Sequence, residues 1–250
     1  MKEDGVERAV AFSQYPQFSC TTAGSSLNEL WREVRALGLE GQFSWSLIDR
    51  WPTHPEFIKA VSKKIKEGLE LFSPEDRDDV HIVFSAHSLP LRTVFKGDQY
   101  SHEVAASVMS VMTNLNFSHR YTLCWQSQVG PSAWLAPKTS DILEALGKKG
   151  TKSVLVVPIA FTSDHIETLS EIDNDFREVA IKAGVTNFRR SPSLNDDPAI
   201  IQAMSTIVKE HLDSGHVHSR QYGFRCPSCV NPECRNVLNP ASSSIGPTIH

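Results

Sequence analysis

At 250 residues, 40% hydrophobic and 22% charged, the chain has the length and composition of a globular protein able to bury a sizeable core. A formal net charge of −4, with no long block of like charge, excludes a global basic field, so nucleic acid is not an expected partner. No run reaches the roughly 18 to 20 apolar residues of a membrane-spanning helix. The opening MKEDGVERAV lacks the apolar stretch of a signal peptide and is too acidic for a transit peptide.

Short apolar runs rich in β-branched and aromatic residues alternate with stretches of helical period, the pattern of an α/β protein with a doubly wound parallel sheet and flanking helices. In chain order, strands are expected over 9–14, 43–48, 80–85, 121–126, 153–159 and 187–190. Helices are expected between and after them, over 26–36, 54–72, 102–115, 140–146, 165–183 and 198–212. This divides the chain into an α/β unit over 1–215, a cysteine-rich segment over 216–238 and a disordered tail over 239–250. Ligands of such sheets collect at the carboxyl ends of the strands, so the residues just after each strand carry the functional reading.

The first strand leads to Tyr15-Pro16-Gln17-Phe18, and the fourth to Gly130-Pro131-Ser132-Ala133-Trp134. Both offer flat aromatic surface on which a large planar ligand would stack, although packing under a loop is the more frequent use of such side chains. The third strand ends in His87-Ser88-Leu89-Pro90, where proline discourages helix and leaves the imidazole on a loop at the sheet edge. Taken alone, His87 reads equally well as a histidine satisfied by backbone. The fifth strand runs into Phe161-Thr162-Ser163-Asp164-His165-Ile166-Glu167-Thr168-Leu169-Ser170-Glu171. Asp164 can cap a helix there with Glu167 at the capping-box position. Glu167 and Glu171, four apart, disfavour a helix unless a proton or cation lies between them, which suits proton or metal handling with His165 alongside, and a solvated acidic helix face explains the same residues equally well.

Cys226, Cys229 and Cys234 form C-x2-C-x4-C among turn residues. Three thiolates within nine residues repel one another unless a cation neutralises them, so they point to metal. A fourth ligand could be Cys20, Cys124, His216 or His218, with Cys124 more at home as a small buried hydrophobe in its strand. Zinc and an iron-sulfur cluster both accept four thiolates.

The segments YPQFSC, SLIDRWPTHP, FSAHSLP, CWQSQVGP, VPIAFTSDHIETLSEID and NPECR resemble, almost one after another, the C-terminal half of animal ferrochelatases. That resemblance implies one lobe of a two-lobe chelatase fold around a porphyrin cleft, and insertion of ferrous iron into protoporphyrin IX as the last step of heme biosynthesis. It implies His87 as a base or first iron ligand, and Glu167 and Glu171 as an acidic row with His165 and Asp164 beside it. Tyr15, Trp134 and Phe161 would line the porphyrin pocket with Ser88. Cys20, Cys226, Cys229 and Cys234 would hold a 2Fe-2S cluster. It further implies a homodimer on the matrix side of the mitochondrial inner membrane, with the family's other lobe and membrane-contacting lip preceding YPQFS. The competing expectations are a non-catalytic module that keeps the cluster and dimerisation surfaces, and a structural zinc protein.

Overall fold

The structure, a computed structural model, describes Met1 and residues 3–219. Cys226, Cys229 and Cys234, most of the cysteine-rich segment and the expected tail over 239–250 lie outside the described residues.

All six expected strands are present: β1 (Arg8–Phe12), β2 (Ser44–Ile48), β3 (His81–His87), β4 (Tyr121–Gln126), β5 (Ser153–Pro158) and β6 (Asn187–Arg190). Every pairing is parallel, but the strands divide into a pair, β1-β2, and a four-stranded sheet in the order β4-β3-β5-β6. The helices are α1 (Ala23–Ala36), α2 (Pro55–Leu69), α3 (Pro74–Arg77), α4 (Leu91–Phe95), α5 (Tyr100–Asn114), α6 (Thr139–Lys148), α7 (Arg177–Ala183) and α8 (Pro198–Ser214). The two short helices α3 and α4 went unanticipated, each being barely one turn opened by a proline.

Strands buried on both faces read as continuous apolar runs, and β3 and β5 do so because helices cover both sides. Side chains alternate between the faces. Ile82, Phe84, Leu155 and Val157 pack toward α2, α5 and α8, whereas Val83, Val154 and Val156 join Leu143 and Ala180 of α6 and α7. On that second face α6 and α7 approach so closely that a Cβ on Gly147 would sit 2.6 Å from the Ala183 carbonyl oxygen. The packing thus fixes the sheet, and with it the loops at its carboxyl edge.

The expected single helix over 165–183 is different in kind. Residues Glu167–Phe176 are π-helical and only Arg177–Ala183 continue as α-helix, which closes on Gly184 at φ 107°. Nor is the expected capping box formed. Asp164 accepts from the Thr168 hydroxyl at 3.1 Å, and the first turn has no side-chain cap.

Candidate active site

At the carboxyl edge of the four-stranded sheet lies a cavity of about 720 Å³, a size that suits a large organic ligand. Its walls come from the strand ends and exits: Tyr15 after β1, His87 at the end of β3 and Ser88 after it, Trp134 after β4, and Phe161, His165 and Glu167 after β5. Of the residues singled out in the sequence, these seven are brought together; Asp164 and Glu171 are not on the cavity wall.

His87 is the last residue of β3 and pairs in register with Gln126 of β4. Burial pushes its imidazole below the ordinary 6.5, while the nearby Glu167 and Glu171 carboxylates pull it back up and His165 pushes it down further. The balance is a neutral imidazole at physiological pH, available as a base or metal ligand. On the wall of the same cavity His165 Nδ1 donates to Glu167 Oε2 at 2.6 Å, and the Phe161 ring lies 4.6 Å from the His165 ring. Burial works against ionisation of Glu167, but hydrogen bonds from its own backbone N–H and from His165, with the charges of His165 and His87, hold its carboxyl below the usual range.

Glu171 is occupied differently. Gln126 Nε2 donates to Oε2 at 2.9 Å, and Ser127 donates twice, through its N–H to Oε1 at 2.8 Å and through its hydroxyl to Oε2 at 2.5 Å. Ser127 sits at φ 61°, a left-handed backbone rare outside glycine that turns both its donors onto one carboxylate. Gln126 is itself oriented, since the Ser85 hydroxyl donates to its Oε1 at 2.7 Å, leaving Nε2 to face Glu171 and the Glu167 carbonyl. Spacing alone put Glu167 and Glu171 side by side, whereas the structure gives one to the cavity and the other to the β4 exit.

Asp164 is likewise saturated. Its carboxylate accepts from Ser193 Oγ, Asn195 Nδ2, Thr168 Oγ1 and Arg190 Nη1 at 2.7 to 3.1 Å. Burial alone would raise it, but Asn195, Ser193 and Arg190 hold it below the usual carboxylate range. Gln126, Ser127 and Arg190 had escaped the sequence reading although each stands at a strand exit. The rule that singled out His87 applied to them equally, but amide, hydroxyl and guanidinium groups are too common to draw notice.

The loop after β1 carries Tyr15 and Cys20 and is tied to α5 by buried carboxylates. Glu103 accepts the Phe18 N–H at 2.7 Å and Asp98 accepts the Cys20 N–H at 2.8 Å. Arg50 donates to Glu103 at 2.5 Å, lies against Asp49 and stacks 4.1 Å over the Phe18 ring. Cys20 is half-buried. Cys124 is fully buried, donates to the Phe84 carbonyl at 3.3 Å, and has its thiol pushed up to about 12 by burial, which makes it a packing residue. His216 is exposed and His218 is half-buried beside Leu47 of β2. Among the described residues no group of three or more His, Cys, Asp or Glu side chains is arranged to hold a metal ion.

The chain thus presents a parallel α/β lobe with an imidazole, a carboxylate and aromatic walls gathered at one sheet edge. The ferrochelatase family model matches residues 1–212. The chain is 51% identical to the mitochondrial ferrochelatase of Xenopus laevis over 94% of its own length and 57% of that relative's. It is 50% identical to that of Gallus gallus over 95% of this chain and 59% of the relative, and 48% identical to that of Homo sapiens over 95% and 56%. SirB of Bacillus subtilis, solved with Fe3+, superposes at a TM-score of 0.62 with 15% identity, covering 85% of this chain and 76% of its own, a likeness of fold alone. The chain belongs to the ferrochelatase family and spans somewhat over half the length of these relatives.

Proposed function

We propose that this chain supplies the iron-facing wall of a ferrochelatase, which inserts ferrous iron into protoporphyrin IX to give protoheme in the last step of heme biosynthesis. The observation that carries the reading is His87, a half-buried imidazole at the end of β3, sharing one aromatic-walled cavity with the His165–Glu167 pair. Insertion requires that iron shed water, that two pyrrole protons leave, and that the ring present its nitrogen lone pairs on one face. Imidazole and carboxylate can replace water around iron without holding it irreversibly. His87 takes a pyrrole proton as base, and the Glu167 carboxylate, hydrogen-bonded by His165, takes a proton or lends a ligand to iron. Phe161, Trp134 and Tyr15 hold the flat macrocycle, and Ser88, whose hydroxyl donates to the Leu135 carbonyl at 3.3 Å, fixes the loop after His87. Asp164 and Glu171 act from behind this wall by holding the segment that bears Glu167.

The four-thiolate set of Cys20, Cys226, Cys229 and Cys234 would hold a 2Fe-2S cluster, which supplies structural cross-linking between the end of the chain and the loop after β1. The described residues favour that set. Ser219 Oγ accepts the Asp49 N–H at 3.1 Å, and Asp49 adjoins Arg50, whose guanidinium stacks on Phe18 of the Cys20 loop. Cys226 lies seven residues beyond Ser219, a stretch that spans up to roughly 25 Å. The relatives' mitochondrial names support a mitochondrial location, with the matrix face of the inner membrane and a second copy of the chain as the expected surroundings. Among the described residues no helix is long and apolar enough to cross a membrane.

The test is zinc or iron insertion into a soluble porphyrin by the purified chain, after its visible spectrum is recorded. Insertion that Glu167→Gln and His87→Ala each reduce by about 10²-fold or more supports the proposal. Insertion that survives both substitutions sinks it, and porphyrin binding without insertion favours the non-catalytic module.

A further inference from the structure

We propose that Arg190 is a positioning residue that sets the π-helical pitch of Glu167–Phe176 and so aims Glu167 into the cavity, an inference that rests on the reading of that cavity as the insertion site. Helical segments with i to i+5 hydrogen bonds are rare and mostly last a single turn within an α-helix. Here ten consecutive residues adopt it, so something outside the segment must hold them.

Arg190, at the carboxyl end of β6, has the placement to do so. Its Nε and Nη2 donate to the two oxygens of Asp173 at 2.8 and 3.0 Å, a bidentate fork, while Nη1 donates to Asp164 Oδ1 at 3.0 Å. Asp164 precedes the π-helical segment and Asp173 lies within it, so one planar guanidinium spans the stretch that carries Glu167 and Glu171. Asp164 is anchored independently, because Asn195 both accepts its N–H at 2.8 Å and donates to its Oδ2 at 2.9 Å, with Ser193 Oγ a further donor. Re-forming i to i+4 bonds would rotate every later residue about the helix axis and carry Asp173 out of the fork, a loss of charge-assisted bonds at a site where the Arg190 side chain is only 13% exposed. Arg190 does not line the cavity, so its effect reaches the chemistry through Glu167.

Two variants test this. Arg190→Lys keeps the charge but can serve only one carboxylate geometry at a time, and Asp173→Asn keeps the guanidinium and its tie to Asp164 while weakening the fork. Amide hydrogen exchange is followed by mass spectrometry across 167–176 and across β3 and β5, and zinc insertion is followed as kcat and porphyrin KM separately. The expected result for Arg190→Lys is exchange about tenfold faster over 167–176 with β3 and β5 unchanged, and a kcat lowered about tenfold at a KM within about twofold of wild type. Asp173→Asn is expected to move the same quantities less. Exchange over 167–176 that stays at the wild-type rate in Arg190→Lys overturns the clamp, as does a loss expressed wholly in KM. Should the unmodified chain insert no metal, the reading of the cavity fails, and the exchange measurement decides the clamp by itself.

Discussion

The carboxyl edge of the four-stranded sheet and the loop after β1 both hold polar side chains in fixed positions, but by different means. Behind His87 stands a strand whose residues from His81 to Ala86 are all buried, inside a core covered on both faces. Packing locates the strand end, and hydrogen bonds only refine it. Around β1 and β2 the apolar packing is divided: Ile48, with Val10 and Phe12 against it, joins the main core, while Leu27 and Leu47 are the buried members of a small separate cluster. The loop after β1 is ordered in addition by Arg50 between Asp49 and Glu103, and by Asp98 on the Cys20 amide. Apolar packing tolerates small shifts and stabilises by area, whereas buried ions demand their partners and add little net stability. The region that would carry the iron-sulfur ligand is therefore well specified yet easily broken by one substitution.

The largest effect expected from that contrast is at Glu103. Its carboxyl is fully buried, and burial pushes its proton affinity up against the opposing pull of Arg50 and the Phe18 N–H. Glu103→Ala leaves Arg50 buried with one partner lost, which should cost about 3–5 kcal/mol in urea unfolding and make the 13–22 loop a protease target. Joint replacement by Asp49→Asn, Arg50→Met and Glu103→Gln removes all three charges while keeping an acceptor for the Phe18 N–H, and should recover part of that loss. A single variant as stable as wild type would show that packing, not charge, orders this region as well.

Leu155→Ala is the counterpart in the sheet. The residue is fully buried in β5 beneath α2, and truncation should cost about 2–5 kcal/mol, read as a lower urea midpoint for the sheet as a whole. Because packing spreads strain, the 13–22 loop should stay protected until global unfolding. Loop cleavage before the sheet melts in this variant would merge the two regions into one.

The same contrast explains what was legible in the sequence. Strand positions, and His87 at the end of β3, follow from apolar runs and turn residues, which are local. The division into two sheets does not, since periodicity tells which residues form strands and not which strands pair. The stretch after β5 misled for a related reason. Asp164 and Glu167 have capping-box spacing, and Glu167 and Glu171 have the spacing of one helical face, but the π-helical geometry is held by Arg190, 26 positions from Asp164 in sequence. Ser127 then claims Glu171 through a left-handed backbone that no sequence pattern announces. Cys20 could be singled out by its type and loop, but not the buried Asp98 that fixes its amide.

The smallest effect, and the one closest to the proposed chemistry, is the titration of His87. Burial lowers it below 6.5, so the folded chain binds fewer protons than the unfolded chain between the folded value and 6.5. Stability contributed by this residue is accordingly intact above pH 6.5 and falls as pH drops through that window. Neutral imidazole is also the form that accepts a pyrrole proton, so the acid limb of the insertion rate assigned to this group should lie below the same pH. Glu167 and Glu171 both raise His87, hence Glu167→Gln and Glu171→Gln should each shift it lower still, by less than a charge in direct contact would. Nuclear magnetic resonance of histidine-labelled protein follows this without any need for activity. A His87 titrating above 6.5, or moving upward when Glu167 loses its charge, would mean that carboxylate attraction and not burial governs the cavity wall. The sheet edge would then resemble the Glu103 cluster, with charges rather than packing setting its properties.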